Sequence, residues 1–290
     1  MLPAEVQHRL PWHKSLIIRF AFLDLIHGKE QRSIDWLEAH YDKLGDDLHA
    51  LLRTLKQYLA GEDLNVGESG TLLRFWHYFL WTTNDKRSII TRGTLKLRNI
   101  SRDPDLINWS VDELAEHPEE TSQWASIAVL FGKRGTKRHI DPHISLSYRT
   151  RNEWEQATER GEMWPARRDD FITECIEAYA DYRQTGVMKL RLDNSEKGCQ
   201  GVAFGLISWQ EMKRRWPKSV NHESNRPQAM RFALRRARLR KVFWWLKIWS
   251  DDHRVVMAMA MRGIPREAFS NPDCVNKTCP FFWEILALFP

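Results

Sequence analysis

Near the C-terminal end, Asp252, His253 and Arg254 open the apolar run Val255–Met261, and Lys277 follows in CVNKTCPFF. Read alone, the triplet is a helix N-cap with two solvated bases, because an Asp there accepts bonds from first-turn N–H groups. Three upstream segments repeat the theme: Lys14-Ser15 with Arg19 in HKSLIIRF, Gly67-Glu68-Ser69-Gly70-Thr71 with Arg74 in NVGESGTLLRF, and Glu223-Ser224-Asn225-Arg226 in NHESNRPQAM. Each sets a base, or a turn of glycine and hydroxyls, at the start of an apolar-periodic segment. There the backbone N–H groups and the helix dipole favour an anion. Glycine permits close approach, Ser and Thr donate hydroxyl bonds, and Arg grips phosphate or carboxylate with two parallel bonds. Four such patches together point to a site for one or two ligands carrying several negative charges.

The ordered set HKSLIIR, NVGESGTLLR, TLKLRNI, TSQ, HESNR, DDHRVVMAMAM and CVNKTCPFF resembles the 5-enolpyruvylshikimate-3-phosphate synthase family of enolpyruvyl transferases, from about Pro11 to Phe282. The resemblance implies a transferase that moves the enolpyruvyl group of phosphoenolpyruvate to the 5-hydroxyl of shikimate 3-phosphate, releasing phosphate, in aromatic amino-acid biosynthesis. It implies an α/β (α+β) fold of repeated βαβαββ units, an inside-out α/β barrel in two globes with the active site in the cleft between them. The usual member is longer, with the shortfall between Gln123 and Glu223, so one unit is expected to be reduced or missing. Domain one is expected over 14–185 and domain two over 1–13 plus 186–290.

The resemblance also assigns roles. Lys14 would lie between phosphoenolpyruvate and the acceptor hydroxyl as charge stabiliser and proton carrier. Ser15, Arg19, Thr121, Ser122, Asp193 and His222 would hold shikimate 3-phosphate, and Gln123 would touch both substrates. Phosphoenolpyruvate would meet Gly70, Arg98, Arg226, Arg254 and Lys277. Glu223, Asp193 and His253 would join Lys14 in the acid–base set. Asp193 lies 30 residues before Glu223; read on its own, Asp193-Asn194-Ser195 is equally a turn or N-cap. Two phosphates and up to two carboxylates in one cleft need several cations around them. Addition and elimination need a general acid and base, and no metal or cofactor is expected.

Several positions depart from the family pattern. Glu68 stands where Asn is usual, Asn225 replaces Asp, His222 precedes Glu223 where a Lys often binds the acceptor, and His143 lies near the place of a Tyr. These touch the acceptor side most, leaving open enolpyruvyl transfer to a different acceptor.

The elements that must position these residues follow from periodicity. Helices are expected over 14–28, 32–60, 70–82, 105–116, 121–131, 145–157, 170–185, 227–239 and 252–262, with a closing segment at 280–288 and a helix-like stretch at 202–207. Alternation predicts strands at 88–98, 188–192 and 242–249. The polar stretch 153–170, with Pro165, is expected to be a linker or lid.

A formal charge of +6 suits anionic partners. The run RFALRRARLRK with FWWLKIW behind it could stack bases or sit on a membrane; the expectation is that its bases solvate a helix face while its aromatics alternate in and out of a strand. The second reading is therefore a non-catalytic anion- or nucleic-acid-binding module. The cysteines at 175, 199, 274 and 279 have no zinc spacing and are expected to be reduced thiols. His139, Asp141 and His143 are a weak metal motif, and no metal is expected. With no leader and no stretch near the roughly 18 apolar residues a span needs, the expected protein is a cytoplasmic monomer with no membrane partner, nucleic acid being a minor possibility.

Overall fold

The computed structural model describes residues 2–117, 121–136, 141–216 and 226–289. His222, Glu223 and Asn225, and with them His139, lie outside the described residues. The chain forms two compact units, Trp12–Arg167 and Met1–Pro11 with Arg168–Pro290. The boundaries between these units fall at 11/12 and 167/168. The chain is an α-rich α/β protein, and each unit has its own core.

In chain order the helices are α1 (Ala4–Arg9), α2 (Lys14–Ile26), α3 (Glu30–Ala39), α4 (Asp46–Leu59), α5 (Gly70–Thr82), α6 (Val111–Glu116), α7 (Gln123–Leu130), α8 (Pro142–Glu159), α9 (Asp170–Thr185), α10 (Ser195–Ala203), α11 (Trp209–Arg215), α12 (Arg226–Leu239), α13 (His253–Met261) and α14 (Phe282–Ala287). Strands β1 (Leu64–Gly67) and β2 (Ile89–Thr91) pair in parallel, Leu64 beside Ile89, with an irregularity between Asn65 and Gly67.

Unit 12–167 is built around α2, whose residues Leu16–Leu25 are buried on all sides. Helices α3, α4, α7 and α8 pack against it. Such a helix is apolar all round, as a central helix must be. Its start is fixed by His13, whose ring nitrogen accepts from Leu16 N–H, and its end by Gly28 at φ +65°. β1 turns through Gly67, at φ +61°, into Ser69, which caps α5. Helix α8 starts on Asp141, which accepts from His143 and Ile144.

The other unit surrounds α13, whose residues Arg254–Met261 are all buried. Asp169 caps α9 and Gly186, at φ +71°, ends it. Residues Ile172, Cys175, Ile176 and Tyr179 of α9 pack in one cluster with Val6 and Val255, which is why α9 belongs with residues 1–11.

Several expectations need correction. Among the described residues the strands are β1 and β2, and Ile248 bridges to Phe269; the repeated βαβαββ architecture is not formed there. Of 88–98 only Ile89–Thr91 is strand, and Gly93–Leu97 winds into a 3-10 turn. Neither 188–192 nor 242–249 forms a strand. Alternating side chains do not make a strand unless another backbone stands at its edge to take the N–H and C=O groups. The long helix expected over 32–60 breaks at His40–Gly45, where Gly45 is extended and caps α4. The helix near 202–207 instead starts at Ser195 and stops at Ala203. The stretch 153–170 does contain the unit boundary, but Trp164 within it is buried, stacks on Phe20 at 4.9 Å and donates to Asp24.

His77 in α5 stacks on Trp81 at 4.9 Å; burial, helped by nearby Arg102, pushes its ring down to about 4. A base whose folded value is depressed is neutral in the fold while the unfolded chain takes up a proton. The stability present above pH 6.5 is therefore lost progressively between about 6.5 and 4, with no further loss from this ring below that window. Urea midpoints of wild type and His77→Phe should diverge in favour of the variant across that window. A constant difference from pH 7.5 to 4.5 would mean that the folded ring titrates normally.

Candidate anion site

Among the described residues four arginines are buried: Arg19, Arg74, Arg226 and Arg254. All four belong to the sequence patches that open helices. Helical side chains lean toward the helix N-terminus, so these guanidinium groups lie against the first turns.

In unit 12–167 two of them stitch four helices together. Arg19 donates from Nη1 to Ser15 O at 2.6 Å, from Nε to Ser147 Oγ at 2.9 Å and from Nη2 to Ser126 Oγ at 2.8 Å, joining α2 to α7 and α8. The oxygens that accept from it are neutral, and burial lowers the guanidinium to about 9, with Asp141 offsetting part of that. Arg74 donates from Nη1 to Gly70 O at 3.1 Å and to Gln123 Oε1 at 3.0 Å, joining α5 to α7. Thr121 Oγ1 accepts from Gln123 N–H at 3.3 Å, and Ser122 Oγ is buried with no hydrogen-bond partner among the described residues. Lys14 is ion-paired with Asp47 at 2.7 Å, its side chain 20% exposed and that of Asp47 8%. Arg98 reaches Thr94 Oγ1 at 3.4 Å. Glu68 occupies the next position: Thr94 N–H and Oγ1 donate to its two oxygens at 3.3 and 3.2 Å. A Cβ on Gly93, at φ +51°, would fall 1.4 Å from Glu68 Oε1, so the missing side chain makes room for the carboxylate.

The other unit repeats the arrangement. Arg226, the first residue of α12, pairs through Nε with Asp252 Oδ2 at 3.2 Å, and Asp252 caps α13 by accepting from Arg254 N–H at 3.0 Å. The Arg254 guanidinium lies 4.3 Å from the ring centroid of Phe171 in the first turn of α9. The starts of α9, α12 and α13 therefore meet. His253 is half-buried beside Arg254, and Lys277 is half-buried at the end of a 3-10 turn (Pro272–Lys277). The following hydroxyl, Thr278 Oγ1, is buried with no hydrogen-bond partner among the described residues. Burial drives the neighbouring thiols Cys274 and Cys279 up to about 12, and all four cysteines are free.

Asp193 is not part of this gathering. It accepts from Asn194 and pairs with Lys197 at 3.2 Å, and Lys197 also holds Glu174. Burial works against the Lys197 charge, but bonds to Glu174 and Asp193 outweigh it and raise the ammonium. Gln200, Cys175, Arg254 and Phe171 line a cavity of about 20 Å³ together with Met257 and Met261. That is room for about one water.

Two residues that shape the site went unread in the sequence, Asp47 and Asp24. Asp24 carried a signal, being a single acid inside an otherwise apolar helix (FAFLDLI). Asp47 looked like an ordinary first-turn acid of α4. Among the described residues no group of three or more His, Cys, Asp or Glu could hold a metal ion. No protein-family model, curated protein or solved structure matches this chain.

Proposed function

We propose that the chain binds phosphoenolpyruvate and a second phosphorylated ligand at the gathered helix starts and transfers the enolpyruvyl group, with shikimate 3-phosphate as acceptor. The observation that carries this reading is the placement of the buried arginines. Cations are favoured at helix C-termini and disfavoured at N-termini. Here all four buried arginines of the described residues stand at N-terminal turns. Burial of a charge is costly unless it is compensated; within the fold Arg226 pairs with Asp252, and a bound anion would add to such compensation at the helix starts. Orphaned buried hydroxyls call for an explanation; Ser122 and Thr278, at two of the motif positions, are such donors.

In this mechanism Lys14 exchanges Asp47 for substrate and carries the proton between the acceptor hydroxyl and C3 of phosphoenolpyruvate. The hydroxyl oxygen bonds to C2 as C3 gains a proton; then the C2–O bond to phosphate breaks and a C3 proton leaves. By the resemblance, Glu223 and His253 would serve as the remaining acid–base pair, and Arg98, Arg226, Arg254 and Lys277 would hold phosphoenolpyruvate. The deciding experiment mixes the full chain with phosphoenolpyruvate and shikimate 3-phosphate and measures phosphate. Release that requires both supports the reading, and no release with no phosphoenolpyruvate binding in calorimetry sinks it.

A non-catalytic anion-binding module is the second reading, favoured by the Lys14–Asp47 and Glu68–Thr94 contacts, which already occupy the expected ligand groups. Both readings predict that Glu68 competes with a bound anion. Removing one exposed like charge at about 4 Å is worth about 1 kcal/mol, so Glu68→Gln should bind phosphoenolpyruvate roughly fivefold tighter by calorimetry. Weaker binding by the variant would show that Glu68 assists the ligand instead.

A further inference from the structure

The segment 231–249 holds seven of the 44 Lys and Arg and none of the 38 Asp and Glu, so without it the formal charge of +6 falls to −1. The positive excess of the chain is therefore concentrated in this one segment. It comprises the outer part of α12 and the turn that follows. Arg231, Arg235, Arg238, Lys241 and Lys247 are exposed, and none of the seven bases is ion-paired among the described residues.

The same segment carries an unusual apolar tip. Val242 is 72% exposed, Trp244 74%, Trp245 61% and Trp249 72%, with Phe243 and Leu239 beside them. Contiguous apolar side chains left in water signal an interaction site. The tip is held in shape from behind. Ile248 is fully buried, its N–H donating to Ala268 O at 2.8 Å and its carbonyl accepting from Ser270 N–H at 3.0 Å. Arg240 Nη1 donates to Leu246 O at 2.7 Å, and Lys247 Nζ to Glu267 O. Fixing the backbone this way means the exposed rings cannot fold back into the core.

We infer that residues 231–249 are a docking surface for an anionic phospholipid bilayer, with the tip lying in the headgroup region and the bases around it. Charge complementarity sets the sign of the partner: each Lys or Arg near an anionic leaflet adds attraction. The ring geometry selects lipid over single-stranded nucleic acid. Trp244 and Trp245 meet edge to face at 85°, and Phe243 and Trp245 at 71°, so they offer no row of parallel faces for successive bases. Val242 and Leu239 have no π-face, yet they add to interfacial partitioning, where indoles are favoured. No helix among the described residues is long and apolar enough to cross a membrane; the contact is with the surface.

The test is co-sedimentation of the full chain with phosphatidylcholine vesicles, with and without 30% phosphatidylserine, at low and high salt. Binding is expected to the anionic vesicles only and to weaken with salt. Trp244→Ser/Trp245→Ser should weaken it more than roughly tenfold. Arg235→Gln/Arg238→Gln/Lys241→Gln should weaken it roughly hundredfold. All five residues are exposed, so circular dichroism should be unchanged in both variants. The proposal is overturned if wild type ignores anionic vesicles, or if it binds them equally well without the two indoles. It is likewise overturned if an oligonucleotide, and not the vesicles, is what binds through Trp244 and Trp245.

Discussion

Asp24→Ala should destabilise unit 12–167 by about 3–5 kcal/mol, the range for removing one partner of a buried, hydrogen-bonded charge. The carboxylate is fully buried. It accepts from Arg32, from Ser33 Oγ at 2.6 Å, from Trp154 Nε1 at 2.7 Å and from Trp164 Nε1 at 2.9 Å. These donors come from α2's neighbours α3 and α8 and from the stretch beyond α8, so one side chain ties three segments to the central helix. With alanine there, two indole N–H groups and a hydroxyl lose their acceptor in a place water does not reach, and a half-buried guanidinium loses its counter-charge. Each stranded donor carries its own desolvation cost. Out of a typical total of about 5–15 kcal/mol, such a loss is a large fraction. Asp24→Asn keeps one acceptor oxygen but turns an N–H₂ toward other donors, so it should fall between wild type and alanine. Urea unfolding followed by tryptophan fluorescence reads this directly, because Trp154 and Trp164 sit on the network. Exposed Asp42→Ala, within about 0.5 kcal/mol of wild type, is the control. A loss of under 1 kcal/mol for Asp24→Ala would mean that the four donors find other partners.

Several helix starts of this fold, at 14, 70, 170 and 253, were legible, and the strands were not, for one physical reason. A helix satisfies its own backbone, so Ser69, Ser110 with Glu113, Asp141, Asp169 and Asp252 each announce a start that local chemistry completes. A strand needs a distant partner, and the alternation at 242–249 carries no information about whether one is present. There the structure leaves Ile248 buried and turns the Trp side chains outward. The break at Gly45 is similar, since the apolar spacing runs through it without interruption. Within the candidate site, the motif arginines were legible by type and position. Their burial was not, because Ser126 and Ser147, the hydroxyls that accept from Arg19, are unremarkable in the sequence. Nor did sequence signal that Lys14 would already hold a carboxylate, because Asp47 is 33 residues away.

That ion pair makes Lys14→Ala the sharpest test of what the site does. Under the proposed transfer, the variant should release no measurable phosphate, since a positioned acid–base group contributes about 10²–10⁴-fold and charge stabilisation adds to it. By itself that result is ambiguous, because Lys14→Ala also removes the ion-pair partner of Asp47, whose side chain is only 8% exposed. The Lys14→Ala/Asp47→Ala double variant separates the two effects. Deleting both partners removes that carboxylate as well, so stability should return most of the way to wild type while phosphate release stays absent. Asp47→Asn alone leaves the ammonium in place and should keep phosphate release. If the double variant regains phosphate release along with stability, Lys14 serves the fold and the proton carrier is another group. If it regains stability alone, Lys14 belongs to the chemistry, and the pair with Asp47 is the resting position from which substrate recruits it.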